Sequence, residues 1–408
     1  MRIKNSCRIF ILSALIWYLS GCPSKDYRTL IEQGEFRQAA WIIQEQLKND
    51  KALAPEQRLQ LQFELERIER IRQDFQRTEK EVLDYIKQYL PDVGAKDLTG
   101  WEKSGALEML IIDGKKWYFN NAAPNLFRLD PQLKAIKYKA DSLAGRPVGK
   151  EFDLDGHCRQ IINTAVKTNQ RYVCPVTLKI KQSVQVQPNA VPAGKVIRCW
   201  IPYPREIPQR QVDIKLLRTE PQRYIIADND QTLQRTIYFE KVAQKDSVTS
   251  FSVEYTYRSY GVYAPVKVEL VKPTPDKPEL RPFLEEQPPH IVFSQAIREL
   301  SEKIVGTETN PYRIAQKLFD WVDTNIPWAS AREYSTFFNI PEYVLKNRHG
   351  DCGMQTLTFI TLCRLNGIPA RWQSGWEFQP PDDSMHDWGE IYFEPYGWLP
   401  MDVTYGQR

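Results

Sequence analysis

The stretch Arg348-His349-Gly350-Asp351-Cys352-Gly353-Met354-Gln355-Thr356-Leu357 passes from a small-residue turn into an apolar run. Leu357, Ile360 and Leu365 carry the run on, and Asn366-Gly367 supplies a stop, so a helix is predicted to begin near Cys352. A cysteine at a helix N-terminus feels the positive end of the dipole and the unpaired N–H groups of the first turn. Both favour thiolate, the nucleophilic form of the side chain. Gly350 and Gly353 flank the motif and let a substrate backbone approach.

Two further groups follow in order. His386 stands in Met385-His386-Asp387-Trp388-Gly389-Glu390 at the entry to a predicted strand, and Asp402 in Leu399-Pro400-Met401-Asp402-Val403-Thr404 at the end of another. A hairpin through Pro395-Tyr396-Gly397-Trp398 sets the two strands side by side. Adjacent strands lie ~4.8 Å apart, so Asp402 reaches the His386 ring. The outcome is a Cys352 nucleophile, a His386 base and an Asp402 orienter. Singly, each residue reads as ordinary: a packed cysteine, a structural histidine, a turn aspartate. The ordered set carries the specificity. His349, in the loop before the helix, is a poor competitor as base because it needs an unusual return path.

With Cys363-Arg364-Leu365-Asn366-Gly367-Ile368-Pro369-Ala370-Arg371 between them, these motifs resemble the transglutaminase-like superfamily of papain-like cysteine enzymes over roughly residues 300–408. The resemblance implies an α+β papain-like core behind a β-sandwich, with Cys352, His386 and Asp402 as its catalytic residues. It implies attack on an amide carbonyl, a thioester intermediate and release of an amine, needing no cofactor. The backbone N–H of Cys352 is one oxyanion donor; Trp328 is a candidate for the second, or a wall of the cleft. Relatives differ in whether water or an amine resolves the thioester. The reaction expected here is peptide hydrolysis on a peptide or protein substrate, cell-wall peptide included. The alternatives are transglutaminase or deamidase action on glutamine side chains, and a non-catalytic envelope binding or scaffold protein. Any further strand that relatives use to close the core is expected to be missing, since the chain stops soon after Asp402. No acidic run has the loop spacing of a calcium site, so no metal is expected.

Upstream the chain changes character several times. Residues 293–308 lead to Asn310-Pro311, a helix start, and Ile314, Ala315, Leu318, Trp321 and Val322 form one apolar face. Residues 269–292 are dense in proline, which favours extended chain and marks a linker. Residues 171–268 alternate as strands do, with Val176, Leu178, Ile180 and then Phe251, Val253, Tyr255, Tyr257, separated by turn clusters; a β-sandwich is predicted. Residues 101–170 mix helix with a hairpin turning at Asp113-Gly114. Residues 22–100 read as helical: Phe36, Ala39, Ala40, Ile43 and Leu47 share a face, Leu61, Leu65 and Ile68 start another, and Thr78 with Glu81 forms a capping box. The fold class is therefore α+β multidomain, with the chemistry in residues 293–408.

Residues 1–21 hold Arg2, Lys4 and Arg8, an apolar run from Ile9 to Leu19, and then Leu19-Ser20-Gly21-Cys22. This is the pattern of a secretory signal, and the tetrapeptide resembles a bacterial lipobox, which implies cleavage before Cys22 and acylation of its thiol. The expected location is the cell envelope, on a membrane through the N-terminal lipid, facing either periplasm or surface. The 408 residues carry 55 basic and 51 acidic side chains, a net +4. Loss of the three basic residues of the signal leaves a nearly neutral chain, which excludes an electrostatic nucleic-acid binder. Of the seven cysteines, five remain after Cys7 and Cys22 are set aside; Cys158 and Cys174 are a candidate bridge, and Cys363 is a buried free thiol.

Overall fold

The computed structural model describes residues 26–146, 152–230 and 233–406; the predicted signal stretch and Cys22 lie outside them. The chain divides into two compact units, one reaching Leu126 and including Arg332–Thr336, the other holding the remainder. Among the described residues no helix is long and apolar enough to cross a membrane.

The first unit is the N-terminal helical stretch. It contains α1 (Tyr27–Glu32), α2 (Phe36–Asn49), α3 (Pro55–Asp74), α4 (Glu79–Lys87), α5 (Ala95–Ser104) and the hairpin β1 (Met109–Ile112)–β2 (Lys115–Tyr118). The predicted face of α2 buries Phe36, Ala39 and Ile43, and α3 buries Leu61 and Ile68. Thr78 and Glu81 cap α4 reciprocally, with Thr78 N–H donating to Glu81 Oε2 at 2.8 Å. Asp113 and Gly114 turn the hairpin with φ of 50° and 80°, as a type I′ turn requires. Gly34 is dictated by space and conformation together: its φ is +78°, and a Cβ there would lie 1.9 Å from the Ile111 carbonyl oxygen. A segment from much later in the chain completes the unit. Glu333 N–H donates to Asp74 Oδ2 at 2.9 Å, Arg70 Nη1 to Ser335 Oγ at 2.8 Å, and Arg332 Nε pairs with Glu108 at 3.1 Å.

The second unit opens with α6 (Ala122–Leu129), in which the chain passes from one unit to the other, followed by α7 (Pro131–Leu143) and α8 (Leu154–Thr168). The central β region follows: β3 (Tyr172–Val186), β4 (Val196–Pro202), β5 (Gln211–Glu220), β6 (Ile225–Ile226), β7 (Thr236–Val242) and β8 (Thr249–Val262). They form two antiparallel three-stranded sheets, ordered β3-β8-β5 and β4-β7-β6. Alternation along β8 sends Phe251, Val253 and Tyr255 inward against Ile201, Ile237 and Phe239. Each such side chain contributes about 1.5–3 kcal/mol on burial, which is what holds the sheets together.

The predicted Cys158–Cys174 bridge is absent; both thiols are free. Cys158 lies in the second turn of α8, and the ten helical residues that follow it rise ~15 Å before the chain reverses into β3. Cys174, near the start of β3, is thus at the far end of the helix, beyond the span a disulfide tolerates.

After the 3₁₀ turn Val268–Leu270, the proline-rich segment is irregular to Lys277 and then, instead of running extended as predicted, turns at 278–280, through the 3₁₀ turn Arg281–Phe283 and again at 288–290. It is nonetheless packed: Val271, Leu280 and Ile291 are buried, Lys272 N–H donates to Glu394 O at 2.9 Å, and Thr274 Oγ1 to Gly367 O at 2.7 Å. The C-terminal α+β domain then comprises α9 (Gln295–Val305), α10 (Pro311–Asn325), α11 (Ile340–Asn347), α12 (Cys352–Leu365) and the antiparallel sheet β9 (Ala370–Gln379), β10 (Asp382–Phe393), β11 (Gly397–Met401), ordered β11-β10-β9. Helix α12 is its axis, buried on every side from Gly353 to Arg364. Two of its threonines are accommodated by donating to the preceding turn, Thr358 to Met354 O at 2.8 Å and Thr361 to Leu357 O at 2.7 Å. Arg364 is buried too, with Nε on Ala370 O at 2.9 Å and Nη1 on Glu285 O at 2.9 Å; burial pushes its guanidinium down to about 10.

Candidate active site

Cys352 is the first residue of α12. Asp351 caps the helix, its Oδ1 accepting from Met354 N–H at 3.0 Å. This leaves the N–H groups of Cys352 and Gly353 at the open end of the helix, outside its internal ladder. Gly350 is small for packing, not for a substrate: a Cβ there would lie 2.7 Å from Met354 Cβ. The loop into α12 is pinned by Ala329 N–H to Gly350 O at 2.9 Å and by Gly350 N–H to Pro327 O at 3.3 Å.

Trp328 pairs with Gly350 in that bridge, so it lies beside the loop leading to Cys352. Its indole is 40% exposed and carries the Arg128 guanidinium over its face at 5.2 Å. His349 is turned into the protein, 6% exposed and edge-on to Tyr343.

His386 sits well inside β10, opposite Gly375 of β9, rather than at its entry. The hairpin to β11 is the one the sequence predicts, with Gly389 opposite Met401. Asp402 follows β11 directly, and its Oδ2 lies 2.6 Å from His386 Nε2. Its Oδ1 accepts from Thr404 N–H at 3.0 Å. Thr404 Oγ1 in turn donates to Gln355 Oε1 at 3.0 Å, and Gln355 Nε2 to Ile326 O at 2.7 Å. The carboxylate is therefore tied through Thr404 and Gln355 to the helix that carries Cys352. Trp388 stacks on the His386 ring at 6.1 Å, and Tyr405 meets it edge-on at 5.5 Å.

The Cys352 sulfur donates at 3.9 Å to Oδ2 of Asp387, next to His386 in the chain. Burial alone pushes the imidazolium down; the hydrogen bonds and charges of Asp402 and Cys352 outweigh it and hold His386 up to about 10. Asp387 is shifted too. Burial and the charge of Asp351 push its carboxyl up to about 6, against the pull of His386 and Cys352. Glu377 Oε2 lies 3.9 Å from His386 Nδ1. The structure thus brings together the three residues singled out in the sequence, and adds Asp387, Glu377, Thr404 and Gln355, which the sequence did not mark. Their roles follow from strand register and helix phase. The one visible hint was that Asp387 is joined to His386. A cavity of about 510 Å³ reaches Asp402 between Tyr312, Phe319 and Phe393 but is lined by neither Cys352 nor His386.

A thiol at a helix start, an imidazole on the adjoining sheet and a carboxylate behind it define a domain of the papain-like type. Residues 298–403 match the model of the Transglutaminase-like superfamily, and this C-terminal α+β domain is a domain of that superfamily. The chain is 22% identical over 130 residues to the uncharacterized protein YebA of Bacillus subtilis (strain 168), a match that covers 28% of this chain and spans only 18% of that relative. It is similar to the solved structure of a candidate cysteine protease of Cytophaga hutchinsonii, with 20% identity and a TM-score of 0.45 over 57% of this chain and 78% of that one. It is also similar to the periplasmic domain of TgpA from Pseudomonas aeruginosa, with 17% identity and a TM-score of 0.31 over 58% of this chain and 72% of that domain.

Proposed function

We propose that this protein is a lipid-anchored envelope enzyme that hydrolyses amide bonds in peptides, with Cys352 as nucleophile, His386 as acid and base, and Asp402 as the orienter of His386. One observation carries the reading: His386 is held by Asp402 at 2.6 Å, and the adjoining Asp387 accepts from the sulfur of a cysteine at a helix N-terminus at 3.9 Å. An imidazolium beside a thiol is the arrangement that yields a nucleophilic thiolate.

The thiolate attacks the carbonyl carbon, and the C=O pair moves onto oxygen. The N–H groups of Cys352 and Gly353 receive that oxyanion, with the positive end of α12 behind them. Trp328, beside Gly350, forms the rim on this side. As the intermediate collapses, the C–N bond breaks and the amine leaves with a proton from His386. Neutral His386 then takes a proton from water as its oxygen attacks the thioester carbon; the C–S bond breaks, the carboxylic acid leaves, and the Cys352 thiolate beside the His386 imidazolium is restored. A peptide or protein is the natural substrate class for such a site. The envelope location rests on the signal pattern and Cys22, and is tested by palmitate labelling of wild type against Cys22→Ala.

A peptide carrying a thiol-reactive warhead tests the chemistry. It is expected to label the wild type at neutral pH and not Cys352→Ala, and hydrolysis of a peptide library is expected to fall at least ~10³-fold in that variant. Incorporation of a labelled amine without peptide cleavage would move the reading to a transglutaminase. A folded wild type that is not labelled would sink both enzyme readings and leave the scaffold.

A further inference from the structure

A second polar site lies one side-chain layer from His386. A cavity of about 150 Å³ opens between the sandwich and the back of β9–β10, lined among others by Arg205, Arg210, Arg235, Tyr257, Trp376 and Trp388. Its guanidiniums are unequally served. Arg235 is spent on carbonyls, with Nε on Ala227 O at 2.9 Å and Nη1 on Pro204 O at 3.2 Å. Arg210 pairs with Glu390 at 3.3 Å, but Glu390 also receives Arg371 at 2.7 Å and Gln373 at 3.0 Å. Arg205 has no such share. Its Nε is buried and makes no hydrogen bond, and among the described residues no carboxylate lies within ion-pair distance of it. Burial and the neighbouring charges of Arg371 and Arg210 push its pKa down, against a weaker pull from Glu390 and Asp230.

Among the described residues Glu390 is the one carboxylate in a wall that holds three guanidiniums, Arg205, Arg210 and Arg235, and it is shared with Arg371; the cavity is large enough for several waters, at ~30 Å³ each. A half-buried arginine without a counter-charge is unfavourable unless an anion completes it. The guanidinium fork prefers a planar oxyanion such as a carboxylate. The position relative to the reaction is fixed by strand register: Gly375, in the cavity wall, lies opposite His386, and Trp388, also in the wall, stacks on the His386 ring.

We propose that this cavity is a subsite for a carboxylate of the peptide substrate, an acidic side chain or a free C-terminus, with Arg205 as its principal ligand. The assignment rests on the reading of Cys352 as the reacting group, but its test does not. Full-length Cys352→Ala protein is titrated calorimetrically with two pairs of acetylated tripeptides: one with a central glutamate against its glutamine counterpart, one with a free C-terminus against its amide. Sodium acetate is titrated alongside.

In one pair the acid is expected to bind at least about tenfold more tightly, and Arg205→Gln is expected to erase the difference. Arg205→Lys, which keeps the charge and loses the fork, is expected to retain only part of it. The melting temperature of Arg205→Gln is expected to rise, since an uncompensated buried charge is gone; a merely structural arginine would give a fall. Equal binding of acid and amide in both pairs, or a preference that survives Arg205→Gln, would overturn the subsite. Acetate that binds as well as the peptides would reassign the cavity to a free anion and overturn the substrate role. A positive result with a wild type that cleaves no peptide would leave the subsite standing and remove the enzyme.

Discussion

Asp387 is the residue at which stability and chemistry pull apart. Its carboxyl is buried beside Asp351 and the Cys352 thiol, and folding raises its pKa from 3.8 to about 6. A carboxyl whose folded pKa is raised loses stability as pH rises from its unfolded value through its folded one. The Asp387→Asn variant is therefore expected to match the wild type near pH 4 and to be more stable above pH 6 by about 1–3 kcal/mol, read by chemical denaturation across pH. The carboxylate also opposes a second negative charge on the sulfur, so iodoacetamide is expected to alkylate Cys352 faster in Asp387→Asn than in wild type at pH 7. An unchanged alkylation rate would separate Asp387 from the thiol. His386 has the opposite sign: its folded pKa of about 10 lies above its ordinary 6.5, so its contribution is fully present below pH 6.5 and lost as pH rises through 10. Cys352, His386 and Asp402 were legible in the chain because order and local motif announce them. Asp387 and Arg205 were not, because what matters in them is which charges fail to reach them, and no linear pattern records that.

Among the elements, α12 carries the most. Its apolar residues Leu357, Ile360 and Leu365 gave the helix away, yet an amphipathic template sees only part of it. Thr358 and Thr361 are as buried as the leucines because their hydroxyls donate into the preceding turn; Thr356 is equally buried, and its hydroxyl makes no hydrogen bond. The start of the helix is set by one side chain. Replacing Asp351 by Ala removes the cap and is expected to lower stability by about 0.5–2 kcal/mol, whereas Asp351→Asn keeps an acceptor and is expected to stay within a few tenths. Urea melts of the two variants read this. Equal losses would mean that the charge of Asp351, rather than its capping bond, supports the helix. The sandwich strands were visible from alternation alone. The packing of the proline-rich segment was not, since proline density predicts extension and says nothing of what the side chains between the prolines touch.

In the larger unit, sandwich and C-terminal domain are joined by specific polar contacts as well as by apolar area. Gln182 of β3 is buried; its amide nitrogen donates to Tyr255 Oη at 2.8 Å and Pro202 O at 3.1 Å, and its oxygen accepts from Trp376 Nε1 at 3.1 Å. Arg171 donates to Trp398 O at 2.9 Å. Loss of the Gln182 amide strands the indole N–H and the tyrosine hydroxyl, at about 1–3 kcal/mol. Gln182→Ala is therefore expected to split the melting of this unit into two transitions in scanning calorimetry, where the wild type gives one. A single transition at unchanged temperature would show that apolar contact alone couples the two parts.

The excursion of Arg332–Thr336 into the helical unit has a consequence for the order of events in synthesis. Helix α3, which contributes Arg70 and Asp74, leaves the ribosome early, but Ser335 and Glu333, which complete its neighbourhood, follow only after the whole sandwich has been made. The N-terminal unit therefore remains unfinished while most of the protein is still being translated. Its final closure coincides with the arrival of the chain that leads into α11 and on to Cys352.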